Sequence, residues 1–250
     1  KGLNYRYITA KVQPEALGAA IAGARAIHMK GFNLTMPHKV RVIPFLDGMS
    51  EAARIIGAVN TVYEENGRYI GENTDGKGFV EAMQMQGAPI EGKRIVLLGA
   101  GGAGKAIGVE CALSGAKHIT VINRNRERGE DLARVIAENT ACGAAYLPWE
   151  GTVKIPECDI LINATCVGLA PHADEKPDID YDGIRPGMVV SDVVFNPEWP
   201  PFLREARARG AKAITGLGML VCQGARNFTL WTGEEAPFAA MFDALKGEFA

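Results

Sequence analysis

The chain has 250 residues, 47% of them hydrophobic and 22% charged, with a net charge of −2. That length suits two modest domains or one large one, and the balance is that of an ordinary folded globular protein. The near-neutral charge gives no general attraction to nucleic acid or to anionic membranes, so any anion site must be local.

No apolar run approaches the roughly 20 residues that cross a bilayer, and no signal peptide is recognisable at the start. The five cysteines make no Cys-x-x-Cys pair and the four histidines no metal-ligand spacing. Reduced thiols, no metal and a cytoplasmic location are the expectation.

In chain order, residues 5–10 alternate like a strand. This strand begins so near Lys1 that part of the first domain is expected to lie upstream. Residues 14–29 are alanine-rich with apolar residues at helical spacing, and Pro14 suits a first helical turn. Residues 31–35 read as a strand, and 40–46 and 50–55 as helices, the latter opened by Ser50-Glu51. Residues 58–64 and 68–72 flank Glu65-Asn66-Gly67, where Asn-Gly marks a hairpin turn. Residues 76–86 make an amphipathic helix, and 89–92 a linker.

A strand–helix alternation follows. Strands are predicted at 94–98, 118–122, 144–148, 159–163, 188–194 and 212–214, and helices at 104–114, 128–138 and 201–209. This alternation implies a parallel sheet with helices on both faces. Residues 219–249 read as helical and are expected to return to the first domain.

Three polar clusters lie between residues 33 and 76. They are Asn33-Leu34-Thr35-Met36-Pro37-His38-Lys39, Gly57-Ala58-Val59-Asn60-Thr61 and Asn73-Thr74-Asp75-Gly76. Short polar side chains held by turn residues at strand ends can converge on a small hydroxylated ligand. Lys39 and Asp75 add the two charges needed to move a proton. His38 is a second candidate for that task, although its neighbour Pro37 could turn it outward. Taken alone, Lys39 reads as a surface charge and Asp75 as the start of a helix.

Leu98-Gly99-Ala100-Gly101-Gly102-Ala103-Gly104 carries glycines at the spacing of a dinucleotide fingerprint, between a predicted strand and a predicted helix. The first glycine allows the tight turn, the second lets a pyrophosphate approach the backbone, and the third lets the helix pack on the strand. The phosphates would face the positive end of the helix. The next strand ends at Asn123-Arg124, with Arg128 a turn later, where an NAD-selective site usually carries an acid. Guanidinium groups there favour a 2′-phosphate, hence NADP. A solvated basic helix start is the plainer alternative.

These motifs, with Asn163-Ala164-Thr165 and Gly216-Leu217-Gly218-Met219-Leu220-Val221-x-Gln223, together resemble the shikimate dehydrogenase family, which includes the quinate/shikimate dehydrogenases. The likeness runs from about Leu3 to the C-terminus. It implies an N-terminal α/β substrate domain over 1–76 and a Rossmann-like, doubly wound NADP domain over 77–218. A helical segment over 219–250 would return to the first domain, and the active site would lie in the cleft between domains.

The resemblance makes Lys39 the acid/base and Asp75 its partner, with Thr35, Asn60, Asp75 and Gln223 on substrate hydroxyls. It assigns the cofactor to Gly99, Ala100, Gly101, Gly102 and Ala103, to Asn123, Arg124 and Arg128, and to Thr165, Val193, Gly216 and Met219. Glu51 falls where a family member touches the cofactor. Phe195 stands where members often carry a substrate-reaching tyrosine, and the family's carboxylate-binding serine pair is absent from this sequence. The implied reaction is NADP-dependent interconversion of 3-dehydroshikimate and shikimate, by a monomer or homodimer. A quinate dehydrogenase using NAD or NADP and a catalytically silent NADP sensor are the alternatives; the presence of both Lys39 and Asp75 argues against the sensor.

Overall fold

The computed structural model describes residues 1–248. After a single 3-10 turn, α1 (Leu17–Ala26) leads to β1 (Gly31–Asn33), α2 (His38–Arg41), β2 (Gly48–Met49) and α3 (Glu51–Ile56). The hairpin of β3 (Thr61–Glu65) and β4 (Arg68–Glu72) completes a four-stranded sheet in the order β1–β3–β4–β2. Its turn is built as the Asn-Gly pair predicts, with φ of 52° at Asn66 and 77° at Gly67. Leu17, Ile21, Val42, Val62 and Tyr69 form the core beneath it.

Two expectations fail in this part. Residues 5–10 form no strand, and Tyr5, Tyr7 and Ile8 are exposed. Alternation shows fitness for a half-buried strand, but no described strand pairs with this one. The helix expected at 40–46 is broken into α2 and a 3-10 turn at Ile43–Phe45. Pro44 has no N–H to continue the helical ladder.

From α4 (Thr74–Met85) the chain enters the second sheet, starting at β5 (Arg94–Leu98). There follow α5 (Gly102–Leu113), β6 (His118–Asn123), α6 (Arg126–Asn139), β7 (Gly143–Pro148), β8 (Ile160–Asn163), β9 (Val189–Asp192), α7 (Pro201–Ala208) and β10 (Lys212–Ile214). All pairings are parallel, in the order β10–β9–β8–β5–β6–β7. The side chains of β5 alternate across the sheet. Ile95 and Leu97 enter one core with Phe79, Met83 and Ile107, and Val96 and Leu98 enter another with Trp149, Phe202 and Leu203. The strand order reverses between β5 and β8, which is where such sheets bind ligands.

The C-terminal tail is two helices, α8 (Leu217–Thr232) and α9 (Phe238–Glu248), rather than one, because Gly233 ends α8 in the left-handed conformation. Phe249, also predicted helical, lies outside the described residues. Helix α8 returns to the first sheet, where Trp231 Nε1 donates to Val62 O at 2.9 Å.

Helix α4 is the spine between the two halves. A Cβ at Gly76 would lie 2.3 Å from Ala106 O on α5, and one at Gly78 would lie 2.6 Å from Gln223 N on α8. Only glycine allows three helices to cross so closely here. The expected domain boundary at 76/77 falls inside this helix.

Candidate active site

The polar clusters converge where β1, β3 and the first turn of α4 meet. Lys39, on α2, is aimed at Asp75 in the first turn of α4, with Nζ 2.7 Å from Oδ2; both side chains are about a quarter exposed. Asn60 is buried, at 3% exposure. Its Nδ2 donates to Asp75 Oδ1 at 2.8 Å, and its Oδ1 accepts from Thr74 N at 2.8 Å. Both carboxylate oxygens of Asp75 therefore carry a donor, which fixes the carboxylate plane. Such charge-assisted bonds are about twice as strong as neutral ones.

A second layer lies behind this pair. Asn33 Nδ2 donates to Thr61 Oγ1 at 3.0 Å, and Thr61 and Thr74 both donate to Asn227 Oδ1, at 2.8 and 2.9 Å. Thr35 is exposed, and its carbonyl accepts from His38 N at the start of α2. His38 turns away from Asp75 to place Nε2 2.9 Å from Val12 O. Glu51 is exposed in the first turn of α3.

The glycine turn follows β5. Gly99 takes φ 100°, and a Cβ there would strike Thr165 at 2.9 Å. One at Gly104 would lie 2.2 Å from Gly99 O, so helix α5 sits hard against the turn. At Gly101 and Gly102 a Cβ would meet nothing within 4 Å, and both are exposed at the N-terminus of α5. This open, N–H-rich helix start fits a pyrophosphate. Ala100 N donates to Asn123 Oδ1 at 3.0 Å, while Asn123 Nδ2 donates to Asn125 O at 2.7 Å. The side chain of Asn123 therefore ties the two loops together. Asn125 caps α6, accepting from Arg128 N at 2.9 Å.

Arg124 lies with its guanidinium carbon 5.4 Å from the centre of the Trp149 ring. Neither Arg124 nor Arg128 has a carboxylate partner among the described residues, and both are exposed.

Between the two halves lies a cleft of about 340 Å³. Asp75, Ala103, Thr165, Val193, Phe195, Gly216, Met219 and Gln223 all line it. Lys39 and Asn60 join it through Asp75. Thr165 is fixed by Asn163, whose Oδ1 accepts from its hydroxyl at 2.7 Å and whose Nδ2 donates to Asp192 Oδ1 at 3.0 Å. Burial pushes the Asp192 carboxyl up to about 7, against the pull of the Val194 N–H and the Asn163 amide. A larger groove of about 480 Å³ between α4, α8 and α9 lies apart from Lys39. No cluster of His, Cys, Asp or Glu among the described residues is arranged to hold a metal ion.

The sequence did not single out several of these residues. Asn125 carried a signal, since an Asn one position before a helix is a common cap. Trp149, under Arg124, carried none, and neither did Cys166 and Leu169, which also line the cleft, because only the fold brings them to this place.

Residues 1–62 match the shikimate dehydrogenase substrate-binding domain, 81–170 match shikimate/quinate 5-dehydrogenase, and 216–246 match the shikimate 5′-dehydrogenase C-terminal domain. The shikimate dehydrogenase (NADP(+)) of Desulforamulus reducens is 44% identical over 253 residues, covering 99% of this chain and 87% of that protein. Ligand-free 5-ketofructose reductase of Gluconobacter sp. strain CHM43 superposes with a TM-score of 0.95 at 42% identity, covering 99% of this chain and 89% of that one. Shikimate 5-dehydrogenase from Listeria monocytogenes, in complex with shikimate and NAD, gives 0.92 at 36% identity, covering 98% and 87%. The chain belongs to the shikimate dehydrogenase family.

Proposed function

We propose that this chain interconverts 3-dehydroshikimate and shikimate reversibly, with NADP as hydride carrier and Lys39 and Asp75 as the acid/base pair. The observation that carries the reading is the 2.7 Å ion pair of Lys39 with Asp75, because Asp75 also lines the cleft that runs to Ala103 and Thr165 beside the glycine turn. The nicotinamide supplies or accepts the hydride, and the remaining work is done by side chains. In the reducing direction the Lys39 ammonium gives a proton to the carbonyl oxygen as charge develops there. In the oxidising direction the amine takes the hydroxyl proton. Asp75 holds the ammonium in place, and Asn60 holds Asp75.

Thr35, Asn60, Asp75 and Gln223 bind the substrate hydroxyls, and Phe195 bounds the ring. The backbone of residues 99–103 carries the pyrophosphate. Arg124 and Arg128 take the 2′-phosphate, while Asn123 shapes the loop. Thr165, Val193, Gly216 and Met219 enclose the nicotinamide end. The substrate domain spans 1–76 and the dinucleotide domain 77–218, with α8 and α9 returning to the first. The protein works in the cytoplasm as a monomer or homodimer. The name of the Desulforamulus relative supports NADP, and the NAD of the Listeria complex makes NAD the alternative.

A second reading, reduction of a keto-sugar, is favoured by the 0.95 superposition on 5-ketofructose reductase and by the missing hydroxyl at Phe195. Steady-state kcat/KM for shikimate, quinate and 5-ketofructose, each with NADP(H) and NAD(H), tests both. Shikimate with NADP should lead. A lead for quinate or 5-ketofructose would replace the substrate, and turnover of none would favour a non-catalytic NADP sensor.

A further inference from the structure

We propose that Asn227 is a positioning residue, which from α8 fixes both the amide of Gln223 and the turn that carries Asp75. The proposal rests on the reading of Gln223 and Asp75 as substrate-binding groups. Asn227 is 2% exposed, one turn beyond Gln223 on the same helix, with the apolar Val221, Cys222 and Ala225 buried around it in sequence. A buried amide must be satisfied, and this one is. Its Oδ1 accepts from Thr61 Oγ1 at 2.8 Å and Thr74 Oγ1 at 2.9 Å, and its Nδ2 donates to Gln223 Oε1 at 3.2 Å.

The sense of the chain is set at one end. Leu220 O can only accept, and Gln223 Nε2 donates to it at 3.0 Å. Gln223 must then turn Oε1 toward Asn227, and Asn227 must answer with its NH₂ and give its oxygen to the threonines. Thr74 is in turn bonded through its N–H to Asn60 Oδ1 at 2.8 Å, and Asn60 Nδ2 reaches Asp75 Oδ1 at 2.8 Å. One buried side chain thus joins the cleft-lining Gln223 to the Asp75 carboxylate across α8, β3 and α4. One N–H of Gln223 remains for a ligand.

This matters because an amide has two orientations that exchange donor for acceptor. A substrate hydroxyl that gives its one hydrogen to the Asp75 carboxylate in the same cleft can only accept from Gln223, so it needs the orientation that offers an N–H. Leu220 O and Asn227 Nδ2 together hold Gln223 in the orientation that offers an N–H.

The test uses the full chain. In ¹⁵N spectra the Gln223 side-chain amide, assigned by its loss in Gln223→Glu, should be rigid in the wild type and mobile in Asn227→Ala and Asn227→Asp. The aspartate keeps the volume and the acceptors for Thr61 and Thr74 but loses the donor to Gln223. KM for shikimate should rise about three- to tenfold, the worth of one neutral hydrogen bond, with KM for NADP unchanged. The double variant Gln223→Ala/Asn227→Asp, which keeps the acceptor for Thr61 and Thr74, should be no worse than Gln223→Ala alone. A freely turning Gln223 amide in the wild type, or additive losses in the double variant, would overturn the proposal. Rigid-to-mobile Gln223 without wild-type turnover of shikimate would instead sink the substrate assignment and leave Asn227 in its role.

Discussion

Asn60 hydrogen-bonds the Asp75 oxygen that Lys39 does not engage, its Nδ2 standing 2.8 Å from Oδ1 while Lys39 Nζ stands 2.7 Å from Oδ2. A carboxylate held on both sides cannot rotate away from the lysine, and the lysine cannot drift into solvent. Asp75→Asn keeps the shape and removes the charge. It should lower kcat for shikimate about 10²-fold, the lower range for loss of an acid/base function, while the thermal midpoint changes little. Unchanged kcat would remove Asp75 from the reaction.

The two glycines of the turn should fail differently. At Gly104 a Cβ would collide with Gly99 O at 2.2 Å, whereas at Gly101 it would enter open space. Gly104→Ala should therefore cost about 1–3 kcal/mol of stability, as overpacking does. Gly101→Ala should melt like the wild type and raise KM for NADP, because its methyl would occupy the phosphate's space. Thermal melts beside cofactor titrations check both, and the reverse pattern would refute the phosphate role of the turn.

Arg124 rests over Trp149 with no carboxylate partner among the described residues, so its charge is available for a ligand. Arg124→Ala should raise KM for NADP roughly ten- to hundredfold, the worth of a charge-assisted hydrogen bond, and leave KM for NAD nearly unchanged. Equal losses for both cofactors would assign Arg124 to the fold.

Asp192 makes stability depend on pH. Burial raises its carboxyl to about 7 in the folded chain, from about 4 in the unfolded one. Between those values the folded state binds the extra proton, so stability falls as pH rises through this window and is flat above it. Asp192→Asn imitates the protonated acid. Its melting point relative to wild type should be higher at pH 8 than at pH 5. A difference independent of pH would show that the carboxyl ionises normally.

The nucleotide half was the more legible part because its signals are local. Ile95, Val96, Leu97 and Leu98 read as a strand buried on both faces, and the glycines after them mark a turn wherever the strand lies in the fold. The sequence alone misled where a partner decides the outcome, as at residues 5–10, whose alternation finds no described strand to pair with. Pro44 lies inside the apolar spacing that predicts a helix over 40–46, and its missing N–H splits that helix. Lys39 and Asp75 were ordinary as single residues; only the motif set around them raised them above a surface charge and a helix start. Asn227 was out of reach, since its meaning comes from Thr61 and Thr74, 166 and 153 residues away.

The central claim is that Lys39 moves the proton. Steady-state kinetics of Lys39→Ala on shikimate with NADP test it most directly. A contact made mainly in the transition state appears in kcat, so kcat should fall about 10²–10⁴-fold while KM for shikimate and NADP changes only a few-fold. A variant that keeps more than half of the wild-type kcat would contradict the account.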